Sequence, residues 1–265
     1  MFLTGDGFLI SLDNPKRSMT KISFLIAFTA ITVSTIAQDF PEFDKLQYVT
    51  TSDTLRYRML TPVAQKDSER YPLVIFLHGS GERGKDNVVT LKHIAPLFLN
   101  ESNRTKYPCF VFVPQCPANE NWAYPDWYQE PKEPIRSVVQ LIDSLKTLPF
   151  IDASRIYITG LSMGGYGTWY LLTKYPDTFA AAVPICGGGD IHQVEHFRHI
   201  PIWNFHGAKD NAVPVERSRS MIRSLREAGG NPKYTEYKKV GHESWVNAYQ
   251  EAGLLPWLFA QKLVK

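Results

Sequence analysis

The chain has 265 residues, 44% of them hydrophobic and 21% charged, with a formal net charge of +3. That is enough apolar material for one sizeable core, in one α/β domain of this length or in two small ones. The Lys and Arg residues are scattered rather than clustered, which argues against a nucleic-acid partner.

Taken in chain order, the first signal is a targeting segment. Lys21 precedes an apolar run from Ile22 to Val33, and small residues lead to Thr35-Ile36-Ala37-Gln38. A basic start, an apolar stretch and small residues before a cut after Ala37 describe a secretory signal peptide over about 19–37. The run is too short, and too interrupted by Thr and Ser, to read as a membrane span. The mature chain is therefore expected to be secreted or periplasmic, with no stable membrane span. Met19 reads as the start of translation, with 1–18 as an upstream extension. The expected domains are 1–37, extension and signal peptide, and 38–265, a single α/β domain.

Next come two alternating stretches, 46–50 and 55–60, read as an antiparallel pair turned at Ser52-Asp53. The pattern then changes. Short apolar runs at 73–77, 110–113, 156–159, 180–185 and 201–205 alternate with helical stretches at 133–147, 163–175, 215–228 and 254–263. Such runs fit parallel strands buried on both faces. The alternation predicts a doubly wound, mostly parallel sheet with the antiparallel N-terminal pair at one edge.

Three cysteines, Cys109, Cys116 and Cys186, accompany this pattern. Cys109 and Cys116 flank an extended run whose ends lie too far apart to bridge. All three are read as small apolar residues. No Cys/His spacing resembles a zinc site, so neither metal nor cofactor is expected.

The most specific motif is Gly160-Leu161-Ser162-Met163-Gly164, at the end of the predicted strand 156–159 and the start of a predicted helix. A strand–turn–helix G-x-S-x-G presents a serine hydroxyl on a tight turn, beside a helix N-terminus that favours a developing oxyanion. A serine needs a base, and this turn is followed in sequence by an acid and then a histidine. Asp210 follows the strand 201–205, and His242 follows the strand candidate 234–237. Ser162, Asp210 and His242 are therefore the candidate catalytic residues, all at the carboxyl edge of the sheet. Asp190 and Glu243 are competing acids without a strand end of their own at the right place in the order. His192, His196 and His199 read as a solvated helix face, His93 as a surface helix residue, and His78 as a loop-shaping residue.

The glycine-rich loop His78-Gly79-Ser80-Gly81-Glu82-Arg83-Gly84 follows the strand 73–77. The backbone N–H of Ser80 or Gly79, together with that of Met163, is expected to form the oxyanion hole. The G-x-x-x-x-G-K-[ST] pattern of a phosphate cradle is absent. For substrate contacts the candidates are Trp122 and Trp127, in the aromatic loop after the strand 110–113, and Trp245. Stacking on a substrate ring and sealing the loop against the body are equally compatible with Trp122 and Trp127.

The runs LHGSGERG (77–84), FVPQCP (112–117), GLSMGGYGTW (160–169), PICGGGD (184–190), FHGAKDNAVP (205–214) and GHESW (241–245) resemble the α/β-hydrolase superfamily. Within it, the chain is most similar to bacterial feruloyl and acetyl-xylan esterases, polyhydroxybutyrate-depolymerase-like proteins and the dienelactone-hydrolase/prolyl-oligopeptidase catalytic domain. The resemblance covers roughly 72–250. It implies an α/β-hydrolase fold for the domain 38–265 and hydrolysis of carboxylic esters through an acyl-enzyme on Ser162, Asp210 and His242. The substrate it implies is a small-molecule or polysaccharide-linked ester, such as acyl or feruloyl groups on plant polysaccharide. The alternatives are a small serine peptidase or amidase of prolyl-oligopeptidase-like type, and an inactive binding protein on the same fold.

Overall fold

Residues 39–51, 53–123 and 133–263 are described by the computed structural model. The expected signal peptide, Ser52 and Trp127 lie outside them. The alternating N-terminal stretches form strands β1 (Phe43–Val49) and β2 (Thr54–Leu60), antiparallel, with Phe43 opposite Leu60 and Val49 opposite Thr54. Arg58 points inward from β2 and is 1% exposed. Its guanidinium is tolerated there because its N–H groups are taken by the carbonyls of Phe43, Phe40 and Asn87 and by the Asp39 carboxylate.

The apolar runs form β3 (Tyr71–Leu77), β4 (Phe110–Pro114), β5 (Ile151–Leu161), β6 (Ala181–Ile185) and β7 (Trp203–Gly207), and β8 (Lys233–Tyr237) follows. The sheet order is β1-β2-β4-β3-β5-β6-β7-β8. From β4 to β8 every pairing is parallel, and β2 joins β4 antiparallel, so the antiparallel pair is the edge expected from the sequence. β5 begins earlier than the run 156–159 suggests. Ile151 pairs with Tyr71, the register then shifts, and Leu73 faces Ile156.

Both faces of the sheet are covered. On β3, Leu73, Ile75 and Leu77 enter one core, and Val74 and Phe76 enter the other, as period-2 alternation requires. The helices are α1 (Ala95–Leu99), α2 (Glu101–Lys106), α3 (Ile135–Lys146), α4 (Met163–Lys174), α5 (Glu216–Glu227), α6 (Ser244–Ala248) and α7 (Leu254–Phe259). Val138 and Ile142 of α3, Trp169 of α4 and Met221 of α5 fill the first core. Ala95 and Phe98 of α1, Ala248 of α6 and Leu254 and Leu258 of α7 fill the second. All three cysteines are buried and free.

Parallel strands bring their carboxyl ends to one edge. The segments that follow β3, β5, β6, β7 and β8 carry His78–Glu82, Ser162, Cys186, Asp210 and His242.

Candidate active site

Ser162 stands between β5 and α4 with φ 53° and ψ −116°, a sparsely populated conformation for a residue with a Cβ. The turn is over-determined by its surroundings. The Ser162 amide donates to the Ile185 carbonyl at 3.0 Å, and Tyr166 N–H donates to the Ser162 carbonyl at 3.0 Å. Helix α4 crosses β3 so closely that a Cβ on Gly164 would lie 1.8 Å from the Leu77 carbonyl oxygen. Glycine is therefore required there for the turn to sit against the sheet.

His242 Nε2 lies 2.9 Å from Ser162 Oγ, and His242 Nδ1 lies 2.7 Å from Asp210 Oδ2. The carboxylate can only accept, so Nδ1 carries the proton and Nε2 receives the serine O–H. The other carboxylate oxygen, Oδ1, accepts from the amides of Ala212 and Val213 at 2.9 and 2.8 Å. Burial pushes the Asp210 carboxyl up, but the hydrogen bonds from His242 and these two amides outweigh it and hold it below the usual range. The segment after β7 and the segment after β8 are laced together: Ala208 N–H donates to the Tyr237 carbonyl and Lys209 N–H to that of Val240. That lacing brings Asp210 and His242 side by side. Geometrically, the arrangement can move a proton from a serine hydroxyl to an oriented imidazole.

The competing groups stand elsewhere. The Asp190 side chain accepts from His192 N–H at the start of a 3-10 turn, and Glu243 precedes α6. His192, His196 and His199 are exposed. His93 lies in a turn rather than a helix and is largely covered. Its Nε2 is 3.4 Å from Glu82 Oε1, and its ring stands edge-on to Trp245.

The loop after β3 runs beside the serine turn. Gly79 packs against Leu161, and Ser80–Glu82 forms a 3-10 turn. Met163 opens α4. His78 is fully buried and shapes this loop. It accepts from Cys116 N–H at Nε2, so its Nδ1 proton goes to the Gly79 carbonyl at 2.6 Å. Burial pushes its pKa down to about 4.

The tryptophans differ in their fates. Trp245 stands edge-on to His242 with ring centres 5.4 Å apart, and borders a cavity of about 440 Å³ that His93, Leu97 and Tyr249 also line. Trp122, a candidate for stacking on substrate, is instead fully buried and offers no free face. Its indole N–H donates to the His78 carbonyl, and its Cβ rests on Gly167 of α4, where a side chain would collide at 2.5 Å. Of the two readings of this residue, sealing the loop is the one its position fits. Trp127 lies outside the described residues.

Two neighbours of the site carry no role in the sequence reading. His206, at the end of β7, is fully buried with Nε2 at 3.1 Å from Asp210 Oδ2. Cys186, directly after β6, brings its sulfur within 4.8 Å of the Asp210 and His242 donor atoms. Burial pushes that thiol up to about 12. His206 could have been noticed as a histidine closing a buried strand four residues before the candidate acid. Nothing local marks Cys186, because its neighbourhood arises only from the sheet order.

Comparison with known proteins bears on the fold and the family. A secreted protein of Arthroderma benhamiae is 26% identical over 80% of this chain, which spans 26% of that protein. A bifunctional acetylxylan esterase/xylanase of Neocallimastix patriciarum is 28% identical over 38% of this chain and 15% of its own length. The chain thus spans about a quarter or less of these relatives. The crystal structure of a thermostable esterase superposes with a TM-score of 0.79 at 40% identity, covering 84% of this chain and 64% of the esterase. The sequence model of the Phospholipase/Carboxylesterase family matches residues 60–253. With most of its length inside that match, and with the sheet order described above, the chain belongs to the Phospholipase/Carboxylesterase family and has the α/β-hydrolase fold.

Proposed function

We propose that the chain hydrolyses carboxylic esters through an acyl-enzyme on Ser162. The observation that carries this reading is the single imidazole of His242 bridging Ser162 Oγ and Asp210 Oδ2. As Oγ attacks the ester carbonyl carbon, its proton passes to His242 Nε2. The same proton then goes to the departing alkoxide, which leaves as the alcohol. Water repeats the cycle: it gives a proton to His242, attacks the acyl carbon, and releases the acid and the serine hydroxyl. Asp210 holds the imidazole tautomer and stabilises the imidazolium. The amides of Met163 and of Ser80 or Gly79 are assigned to the oxyanion, and Trp245 to the wall beside His242.

The family match and the esterase likeness support ester chemistry. The likeness to an acetylxylan esterase/xylanase supports the narrower reading, an acyl group on polysaccharide. The likeness to a secreted protein supports export by the segment 19–37.

Ser162→Ala tests the mechanism. With p-nitrophenyl acetate, kcat should fall on the order of 10³-fold or more while the fold is retained. Unchanged hydrolysis would remove Ser162 from the reaction. The wild type assayed on acetylated xylan, methyl ferulate and short-chain p-nitrophenyl esters then identifies the acyl group, and a peptide anilide separates an esterase from an amidase.

A further inference from the structure

We propose that His206 is a positioning residue for the reaction: a second, buried histidine that donates to Asp210 and limits how strongly that carboxylate holds the proton on His242. The inference rests on the triad reading above.

The side chain is fully buried at the end of β7. Its Nε2 has two neighbours within hydrogen-bond distance, Asp210 Oδ2 at 3.1 Å and the Val213 carbonyl at 3.0 Å. Both can only accept, so Nε2 carries a proton. On the other side, Nδ1 is 2.7 Å from Ser218 Oγ of α5. That hydroxyl can donate, which satisfies Nδ1 as an acceptor in the neutral ring. The alternative acceptor for the hydroxyl, the Gly187 carbonyl, is more distant at 3.4 Å. Every polar atom of the ring is thus used by the neutral Nε2–H tautomer, and burial disfavours a second proton.

The consequence lies in the carboxylate. Asp210 Oδ2 is shared by two ring N–H groups, from His242 at 2.7 Å and His206 at 3.1 Å, while Oδ1 takes two amides. A four-donor carboxylate is a weaker partner for an imidazolium than a three-donor one, because its charge is already spread over more hydrogen bonds. His206 therefore favours release of the proton from His242 at the step where the leaving alkoxide needs it. The other ionisable groups around the cluster are Cys186 after β6, Tyr166 on α4, Glu236 on β8 and, beyond Tyr166, Arg217 on α5. Glu236 is occupied by Arg219 and Tyr234, and Lys209 points to solvent. Beyond Trp245 stand His93 and Glu82. A substitution at 206 leaves all of these in place.

The test is the pH profile of kcat/KM for p-nitrophenyl acetate in wild type, His206→Phe and His206→Gln. Phe removes the donor and should move the acid limb up by roughly one pH unit. Gln presents an N–H donor to Asp210 and an oxygen to Ser218, and should return the limb toward the wild-type position. A limb that stays in place or moves down in a folded His206→Phe protein overturns the proposal. So does a Gln variant that shifts as far as Phe. Should the Phe variant fail to fold, the wild-type ring decides: ¹⁵N-histidine NMR should show His206 as the Nε2–H tautomer throughout the range in which activity titrates. A titrating His206, or one protonated at Nδ1, overturns the proposal. If Ser162→Ala were fully active, the triad reading itself would fall, an outcome separate from any shift at 206.

Discussion

Burial pushes down the pKa of both buried histidines nearest the candidate site, and their partners differ. His78 has no carboxylate partner, and its pKa falls to about 4 against an ordinary 6.5. The folded state therefore binds fewer protons than the unfolded chain between those values. The stability this represents is fully present above about pH 6.5 and is lost as the pH falls toward 4. Between pH 7 and pH 5 the share from His78 is about 2 kcal/mol at 1.36 kcal/mol per unit. His206 shifts in the same direction. Asp210, held below the usual carboxylate range, titrates beneath this window. Urea unfolding of wild type and His78→Asn at pH 7 and pH 5 should show the wild type losing clearly more stability on acidification. Parallel losses in the two proteins would rule out His78 as a source of acid lability. At this scale the sequence was informative about type and order but not about environment. Ser162, Asp210 and His242 each announced themselves by following a strand. Trp122 did not reveal its burial, because that depends on Gly167 leaving space on a helix more than forty residues later in the chain.

The strand–turn–helix element tolerates almost no added volume. A methyl on Gly164 would meet the Leu77 carbonyl at 1.8 Å, where a Cβ fixed to the helix faces a backbone oxygen and neither can rotate away. Gly81, two residues beyond Gly79 in the neighbouring loop, has open space around its would-be Cβ. Gly164→Ala should cost roughly 2–4 kcal/mol by chemical denaturation, while Gly81→Ala should stay within about 0.5 kcal/mol of wild type. Equal effects would mean that the turn relaxes more easily than its packing implies. The elements most legible in sequence were those with both faces buried, such as β3 and β4, where unbroken apolar runs leave little ambiguity. The early start of β5 was hidden because Asp152, Ala153, Ser154 and Arg155 interrupt the apolar run. Helix α6 was also missed: at five residues it is too short to show a helical period.

Across the whole molecule, the antiparallel N-terminal edge joins the body through the β2–β4 pairing and through the buried side chain of Arg58. Arg58 gathers Phe40, Phe43, Asn87 and Asp39, and Asp39 sits two positions after the proposed cleavage point at Ala37. A cut after Ala37 keeps that ion pair. Mass spectrometry of protein exported by its native host should find a mature N-terminus at Gln38, whereas an intact segment 19–37 on exported protein would contradict the proposed processing. Among the described residues, no helix is long and apolar enough to cross a membrane.

The contacts that align the site also fix when it can exist. His242 reaches back 32 residues to Asp210 and 80 residues to Ser162. The intervening chain includes β6, β7 and β8, which all lie in the sheet that holds the three side chains together. Loop closure of that length comes late in folding, after the local helices and turns have formed. During synthesis the growing polypeptide thus holds an unarmed serine until its last quarter is in place. Under the proposed mechanism, hydrolysis would arrive together with the completed sheet and disappear with it, so turnover of an ester would be a clock for the final assembly step.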